Sequence, residues 1–374
     1  MKIVITTFKY LVPFLLKEIE ALGHKALSSS INTVTLEGTE EDVMILNYKL
    51  RTANQVLLQI AQFTAKSPKE LTEKLKQIIW DDFLWEKEYF SVVSTGFNEN
   101  INNFMYVNQL CKDSIVDFFK SKYGIRPDSG PEKNKAVIAL HWDNEEVSLY
   151  IDTSGETLAR HGYRKYPWRA PLQENLACGI LMASEWTPEK PLLNPMCGSG
   201  TLAIEAALMA MGRYPGSLRS NYSFLHTKPF SPDHWNKLRK ELRAENIGKT
   251  TKPEIIASDI HPEAIKAAQS NAQTAGVDYL VRFETCDFEK THQPSKAGVL
   301  IVNPEYGERM GEEDELKPIY KALGDYFKQE CKGYKTHVFT GNSSLAKHIG
   351  LRTSSKTPFM NGKIECRLLS YDIF

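Results

Sequence analysis

The sequence predicts an α/β fold, in which a doubly wound, mostly parallel sheet over the C-terminal half follows a smaller α+β region over residues 1–153. Three observations predict it. From Leu176 onward, short apolar strands alternate with amphipathic helices. A glycine-rich turn at 194–201 sits between one such strand and the helix after it. Before residue 153, short strands and helices alternate and close in a hairpin, 135–142 and 145–152, turning through Asp143–Asn144.

The N-terminal elements follow in order. Residues 2–8 read as a strand, and 10–22 as a helix with Leu11, Phe14, Leu15, Ile19 and Leu22 on one face and Gly23 as its stop. Residues 33–36 and 56–63 read as strands on either side of a helix at 40–50. A helix at 67–79 starts on Ser67 as N-cap with Pro68 in its first turn. A strand at 89–95 and a long helix at 103–122, stopped at Gly124, lead into the hairpin. In the C-terminal half, helices are expected at 172–185, 202–211, 262–275 and 316–331. They alternate with strands at 191–193, 253–258, 279–284, 299–302 and 335–340, and 364–371 forms a final strand. The segment 213–252 is polar, aromatic and basic, and reads as an insertion that lengthens the link between the first two strands of this sheet.

Composition narrows the function. A chain of 374 residues is comfortable for two or three domains. Lys plus Arg and Asp plus Glu both number 46, so net charge gives no signal for nucleic acid and only local patches can. The six cysteines are dispersed with no CxxC pair, and the nine histidines form no HxxxH or HExxH cluster, so neither a disulfide framework nor a metal site is expected. No apolar run approaches the ~20 residues of a membrane helix. The N-terminus is not patterned as a secretory signal, and a cytoplasmic protein is expected. Nothing in the sequence sets an oligomeric state.

Three motifs carry chemistry. In Asn194-Pro-Met-Cys-Gly-Ser-Gly-Thr201, Gly198 and Gly200 permit a sharp turn and close approach of a ligand, with the next helix aiming its N-terminal amides at it. The loop does not match GxxxxGK[ST], because no Lys follows Gly200; it does fit the relaxed G-x-G-x-x-A form of dinucleotide folds. Asp259, after the second strand, is placed to accept hydrogen bonds from ribose hydroxyls, and it also reads as an N-cap. Asp287, after the third, is placed to accept an adenine amino group, with Phe288 packing on the ring. At the end of the fourth strand stands Asn303-Pro-Glu-Tyr306. An exocyclic amine on a base is a poor nucleophile because its lone pair is delocalised. The Asn303 side-chain oxygen and the Pro304 carbonyl are two acceptors for its N–H bonds, and Tyr306 can stack on the base. By itself the segment is also an ordinary N-P turn. Finally, residues 160–169 mix Arg160, Arg164, Lys165 and Arg169 with Tyr163, Tyr166 and Trp168, which suits phosphate contacts and base stacking and equally suits a solvated linker.

Together these segments resemble the THUMP-domain RNA methyltransferases, in particular the 23S rRNA guanine-N2 methyltransferases. LRTANQVLL at 50–58 resembles the family's THUMP segment, and RHGYRKYPWRAPLQENLA at 160–177 its junction and first methyltransferase helix. LLNPMCGSGTLAIEAALMA at 192–210 resembles its cofactor loop, NPEYGERMG at 303–311 its N-P-P-Y-G-E-R catalytic stretch, and NGKIECRL at 361–368 its terminal strand. The resemblance implies a ferredoxin-like region over 1–50, a THUMP domain over 51–155, and a Rossmann-like methyltransferase domain over 156–374. It implies S-adenosyl-L-methionine as cofactor and RNA, 23S rRNA in particular, as partner. Family contacts carry over to Asn194, Pro195, Gly198, Ser199, Gly200, Thr201, Asp259, Asp287 and Phe288 for the cofactor, and to Asn303, Pro304 and Tyr306 for catalysis. Two positions depart. Asn194 stands where Asp is usual, keeping an acceptor without the charge that attracts the cofactor's ammonium group. Glu305 stands where a second Pro is usual, which frees the backbone and puts a carboxylate near the base. The competing functions are N6-adenine methylation of DNA or RNA, and a catalytically silent RNA-binding assembly factor.

Overall fold

The computed structural model describes residues 1–99, 101, 103–245, 252–306 and 312–374. Gly307–Gly311, the second half of the NPEYGERMG stretch, lie outside the described residues. The chain divides into two compact units. The first comprises Met1–Thr7, Leu16–Leu158 and Arg219–Ala244; the second comprises Phe8–Leu15, Ala159–Leu218 and Glu245–Phe374.

The first unit is built on one seven-stranded sheet. Its strands are β1 (Lys2–Thr6), β2 (Ala26–Ser29), β3 (Thr33–Glu37), β4 (Gln55–Thr64), β5 (Phe90–Phe97), β6 (Ala136–Asp143) and β7 (Glu146–Asp152), ordered β2-β3-β1-β4-β7-β6-β5. All neighbours are antiparallel except β5 and β6, which the long helix between them allows to run parallel. The helices of this stretch are α1 (Val12–Ala21), α2 (Glu40–Lys49), α3 (Pro68–Leu75) and α4 (Phe104–Tyr123). Their ends follow the capping signals. Thr39 and Asp42 close a capping box on α2, Ser67 Oγ accepts the Glu70 N–H at the start of α3, and Gly124 ends α4 at φ 69°. The hairpin turn needs Asn144 at φ 54°. Sequence reading misses β2, an edge strand whose residues are mostly exposed and so show no apolar alternation.

The second unit is a doubly wound sheet. In chain order it holds α5 (Glu174–Ala183), β8 (Leu192–Pro195) and α6 (Thr201–Ala210). After α7 (Pro232–Ala244), which belongs to the first unit, come β9 (Ile255–Asp259), α8 (Pro262–Ala275), β10 (Val281–Thr285), β11 (Val299–Val302), α9 (Glu312–Glu330), β12 (Lys335–Thr340), α10 (Ser343–Lys347), β13 (Ser355–Asn361) and β14 (Ile364–Asp372). The strand order is β10-β9-β8-β11-β12-β14-β13, parallel except for β14, which is antiparallel to both neighbours. Alternate residues of the central strands serve opposite faces. Leu192, Ile255, Val299 and Ile301 pack with α5 and α6, while Leu193, Ile256, Leu300 and Val302 pack with α9. The reading of 213–252 as a simple lengthened link is corrected, because it contains α7, an amphipathic helix that buries Trp235, Leu238 and Leu242. Sequence reading also misses β13, whose Pro358 is tolerated because the strand lies at the sheet edge. Among the described residues no helix is long and apolar enough to cross a membrane.

Candidate active site

Strand order fixes where a ligand can sit. β8 lies between β9 and β11; the chain winds outward from β8 through β9 to β10 and then crosses back to the other side of β8 as β11, so the crevice opens at the carboxyl ends of β8 and β11. The ladder between these strands stops at the pair Leu193↔Leu300. Beyond it the Asn194 side chain takes over, its Nδ2 donating to the Ile301 carbonyl at 2.8 Å. An Asp at this position would have no N–H for that bond, which gives Asn194 a structural reason. A cavity of about 770 Å³ opens here, lined among others by Asn194, Gly198, Ser199, Thr201, Asp259, Asn303, Pro304, Glu305 and Tyr306. That volume is ordinary for a small-molecule site.

The glycine loop is shaped by three left-handed residues: Met196 at φ 54°, Gly198 at 55° and Gly200 at 81°. The glycines differ in role. A Cβ on Gly198 would meet nothing within 4 Å, and the residue lines the cavity. A Cβ on Gly200 would sit 2.9 Å from the Ala268 Cβ of α8 and 3.4 Å from Phe283. Gly200 therefore lets the loop seat on α8 and β10, and it does not line the cavity; Pro195 does not line it either. Asp259 ties the loop from the other side, its Oδ2 accepting the Gly198 N–H at 3.0 Å and its Oδ1 the His261 N–H at 3.0 Å. Cys197 in the same loop is half-buried, and desolvation together with the nearby Asp259 carboxylate pushes its thiol pKa well up.

Three oxygens at this crevice are buried and find no hydrogen-bond partner among the described residues: Asn194 Oδ1, Ser199 Oγ and Asn303 Oδ1. Buried polar atoms are rarely left so in a folded protein, and their convergence on one cavity fits a polar ligand with several donors. Tyr306 is anchored by Asn361 Nδ2, which donates to its hydroxyl at 2.8 Å, and its ring lies close over Gly341. The Glu305 carbonyl accepts from the Tyr320 hydroxyl at 3.3 Å.

Other sequence-derived residues lie elsewhere. Asp287 and Phe288 do not line the cavity. Asp287 caps the short turn Phe288–Lys290 through the Glu289 N–H, and Phe288 is buried edge-on against Tyr326. Of the expected RNA contacts, Arg160 and Lys165 are exposed. Arg164 is not available to phosphate, because it turns inward to bond the Leu172 carbonyl and Thr201 Oγ1 and lies 3.6 Å from Glu174. Arg169 pairs with Glu305 at 2.5 Å. Nearby, His161 and Cys178 both bond to Glu205, at 2.8 and 3.2 Å, in a fully buried cluster that no pattern in the sequence announced.

Comparison with known proteins adds the relatives. The family described as RMKL-like, methyltransferase domain matches residues 161–370, the THUMP domain matches 65–152, and the RlmL ferredoxin-like domain matches 2–57. The chain is 36% identical to the ribosomal RNA large subunit methyltransferase K/L of Syntrophotalea carbinolica over 98% of its own length but 53% of that protein's, so it spans about half of that relative. It is 33% identical to slr0064 of Synechocystis, named as an RNA methyltransferase, over 96% of this chain and 93% of that one. The crystal structure of a possible methylase from Clostridium difficile 630 superposes with a TM-score of 0.89 at 29% identity, covering 100% and 98% of the two chains. The chain belongs to the family of the RMKL-like methyltransferase domain, carried here together with an RlmL ferredoxin-like and a THUMP domain.

Proposed function

We propose that the protein is an S-adenosyl-L-methionine-dependent RNA methyltransferase that modifies the exocyclic N2 of a guanine in 23S rRNA. The observation that carries this reading is the buried, unpartnered Asn303 Oδ1, set beside a glycine loop at the switch point of a doubly wound sheet. The names of the K/L relatives support rRNA as substrate, and the THUMP match supports RNA in general. Such a substrate puts the enzyme in the cytoplasm. In this reading a ferredoxin-like region occupies 1–50, a THUMP domain 51–155 and a methyltransferase domain 156–374.

The residues fit the cofactor. Asn194 Oδ1 and Ser199 Oγ would accept from and donate to its methionine end, Gly198 would let it approach the backbone, and Asp259 would take the ribose hydroxyls with the lone pairs its two backbone contacts leave. Asp287 and Phe288 lie outside the cavity lining and enter the proposal with no cofactor contact assigned, and Gly200 enters only as packing. The bound cofactor supplies an electrophilic methyl group. Asn303 Oδ1 and the Pro304 carbonyl hold the two N–H bonds of the amine, which turns its lone pair out of conjugation, and Tyr306, fixed by Asn361, stacks on the ring. As the new N–C bond forms, the cofactor's S–C bond would break and S-adenosylhomocysteine would leave; the nitrogen would then release a proton to solvent, so no strong base is needed. Incubation with labelled S-adenosylmethionine and in vitro transcribed 23S rRNA, followed by nucleoside mass spectrometry, tests this. N2-methylguanosine is expected; label in N6-methyladenosine, or in no nucleoside, would overturn it.

A further inference from the structure

Glu305 is the residue in the catalytic stretch that the reaction above does not use. It lines the same cavity as Asn303, Pro304 and Tyr306, and its side chain is 66% exposed. Its position is set by Arg169, whose Nη1 contacts Glu305 Oε1 at 2.5 Å. Arg169 holds this contact from a left-handed backbone at φ 45°, a conformation rarely adopted by a residue with a side chain, beside Trp168, which packs 5.8 Å from His261. The guanidinium engages Oε1 and leaves Oε2 as an acceptor at the cavity wall.

We propose that Glu305 is a specificity-determining residue that reads the ring N1–H of guanine, next to the amine held by Asn303 and Pro304. The proposal rests on the guanine-N2 reading and deepens it. A fixed carboxylate accepts and cannot donate. Placed beside two further acceptors, it calls for a base that offers an amine and an adjacent ring N–H. Among the four RNA bases guanine alone does. Adenine N1 and cytosine N3 are lone pairs beside their amines and would face the carboxylate with repulsion, and uracil has a ring N–H but no amine. Arg169 orients the carboxylate, so the pair is a preset reader of one Watson–Crick edge.

The experiment compares wild type, Glu305→Gln and Glu305→Ala on in vitro transcribed 23S rRNA with labelled S-adenosylmethionine, quantifying N2-methylguanosine and N6-methyladenosine. Calorimetry with S-adenosylhomocysteine checks that each variant retains its cofactor pocket. We expect kcat/KM for guanine to fall roughly 10- to 100-fold in Glu305→Ala. Glu305→Gln, which can turn its amide toward a lone pair, is expected to lose part of that and to gain measurable adenine product. Variants that keep the wild-type rate and the wild-type ratio of guanine to adenine product overturn the role of Glu305 while leaving the guanine reading intact. A wild type that methylates adenine, or nothing, overturns both.

Discussion

Truncation of Asn303 to Ala separates chemistry from folding. Because Asn303 Oδ1 makes no hydrogen bond to any described protein group, the substitution removes no internal bond through that oxygen. The expected stability change is therefore small, within about 1 kcal/mol, or roughly 2–4 °C in melting temperature for a unit of this size. Turnover should respond very differently. Of the two acceptors that hold the amine, one is lost, and deletion of a preorganised hydrogen-bond partner costs ~10²–10³ in rate, or about 2.7–4 kcal/mol of barrier. Asn303→Asp keeps an acceptor and adds charge, so impaired but measurable turnover is expected, against near-background turnover for Ala. The assay is single-turnover methylation of 23S rRNA at saturating cofactor, with affinity for S-adenosylhomocysteine measured alongside. If Asn303→Ala methylates at the wild-type rate, the Asn-Pro-Glu-Tyr stretch is only a turn. If the protein melts far lower instead, the oxygen has a structural partner and the reasoning from its isolation fails.

Other outcomes follow from the same geometry. Asn194→Asp should strengthen the hold on the cofactor's ammonium group but lose the bond to the Ile301 carbonyl, lowering stability by about 1–3 kcal/mol; a calorimetric titration with an unchanged melting curve would contradict this. Gly200→Ala should cost more stability than Gly198→Ala, since only at Gly200 does the added Cβ meet Ala268 at 2.9 Å, and equal melting temperatures would remove the packing role. Lys165→Ala should reduce the slope of log K against log salt for RNA binding by roughly 0.7–0.9. Arg164→Ala should instead destabilise the second unit; a reduced slope with unaltered melting would return Arg164 to the phosphate contacts. Burial raises the Asp152 carboxyl to about 6. Its folded value then lies above its unfolded one, so the ionised group costs stability above pH 6, and the cost is relieved as pH falls toward 4. Asp152→Asn should flatten that part of the stability profile, and denaturant unfolding at pH 8 and pH 5 measures it.

Sequence alone determined the elements whose signals are local. The helix at 262–275 and the strands at 299–302 and 335–340 coincide with α8, β11 and β12, because a Pro start, a Gly stop and an unbroken apolar run are each legible within a few residues. The glycine loop and the Asn-Pro-Glu-Tyr stretch were legible for the same reason, since steric freedom and acceptor chemistry belong to the residues themselves. What depended on neighbours far along the chain was not legible. Whether Gly200 faces a ligand or Ala268, whether Arg164 reaches outward or back to Thr201, and whether Arg169 meets RNA or Glu305 are questions of where a side chain ends once distant segments have packed. Phe288 and α7 show the same limit: the first is taken up by Tyr326, and the second joins the unit that precedes it rather than the sheet that flanks it in sequence. A charge or a ring in the sequence states only what it can bind. The tertiary structure decides which partner reaches it first, because burial makes an internal partner cheaper than leaving the group unpaired.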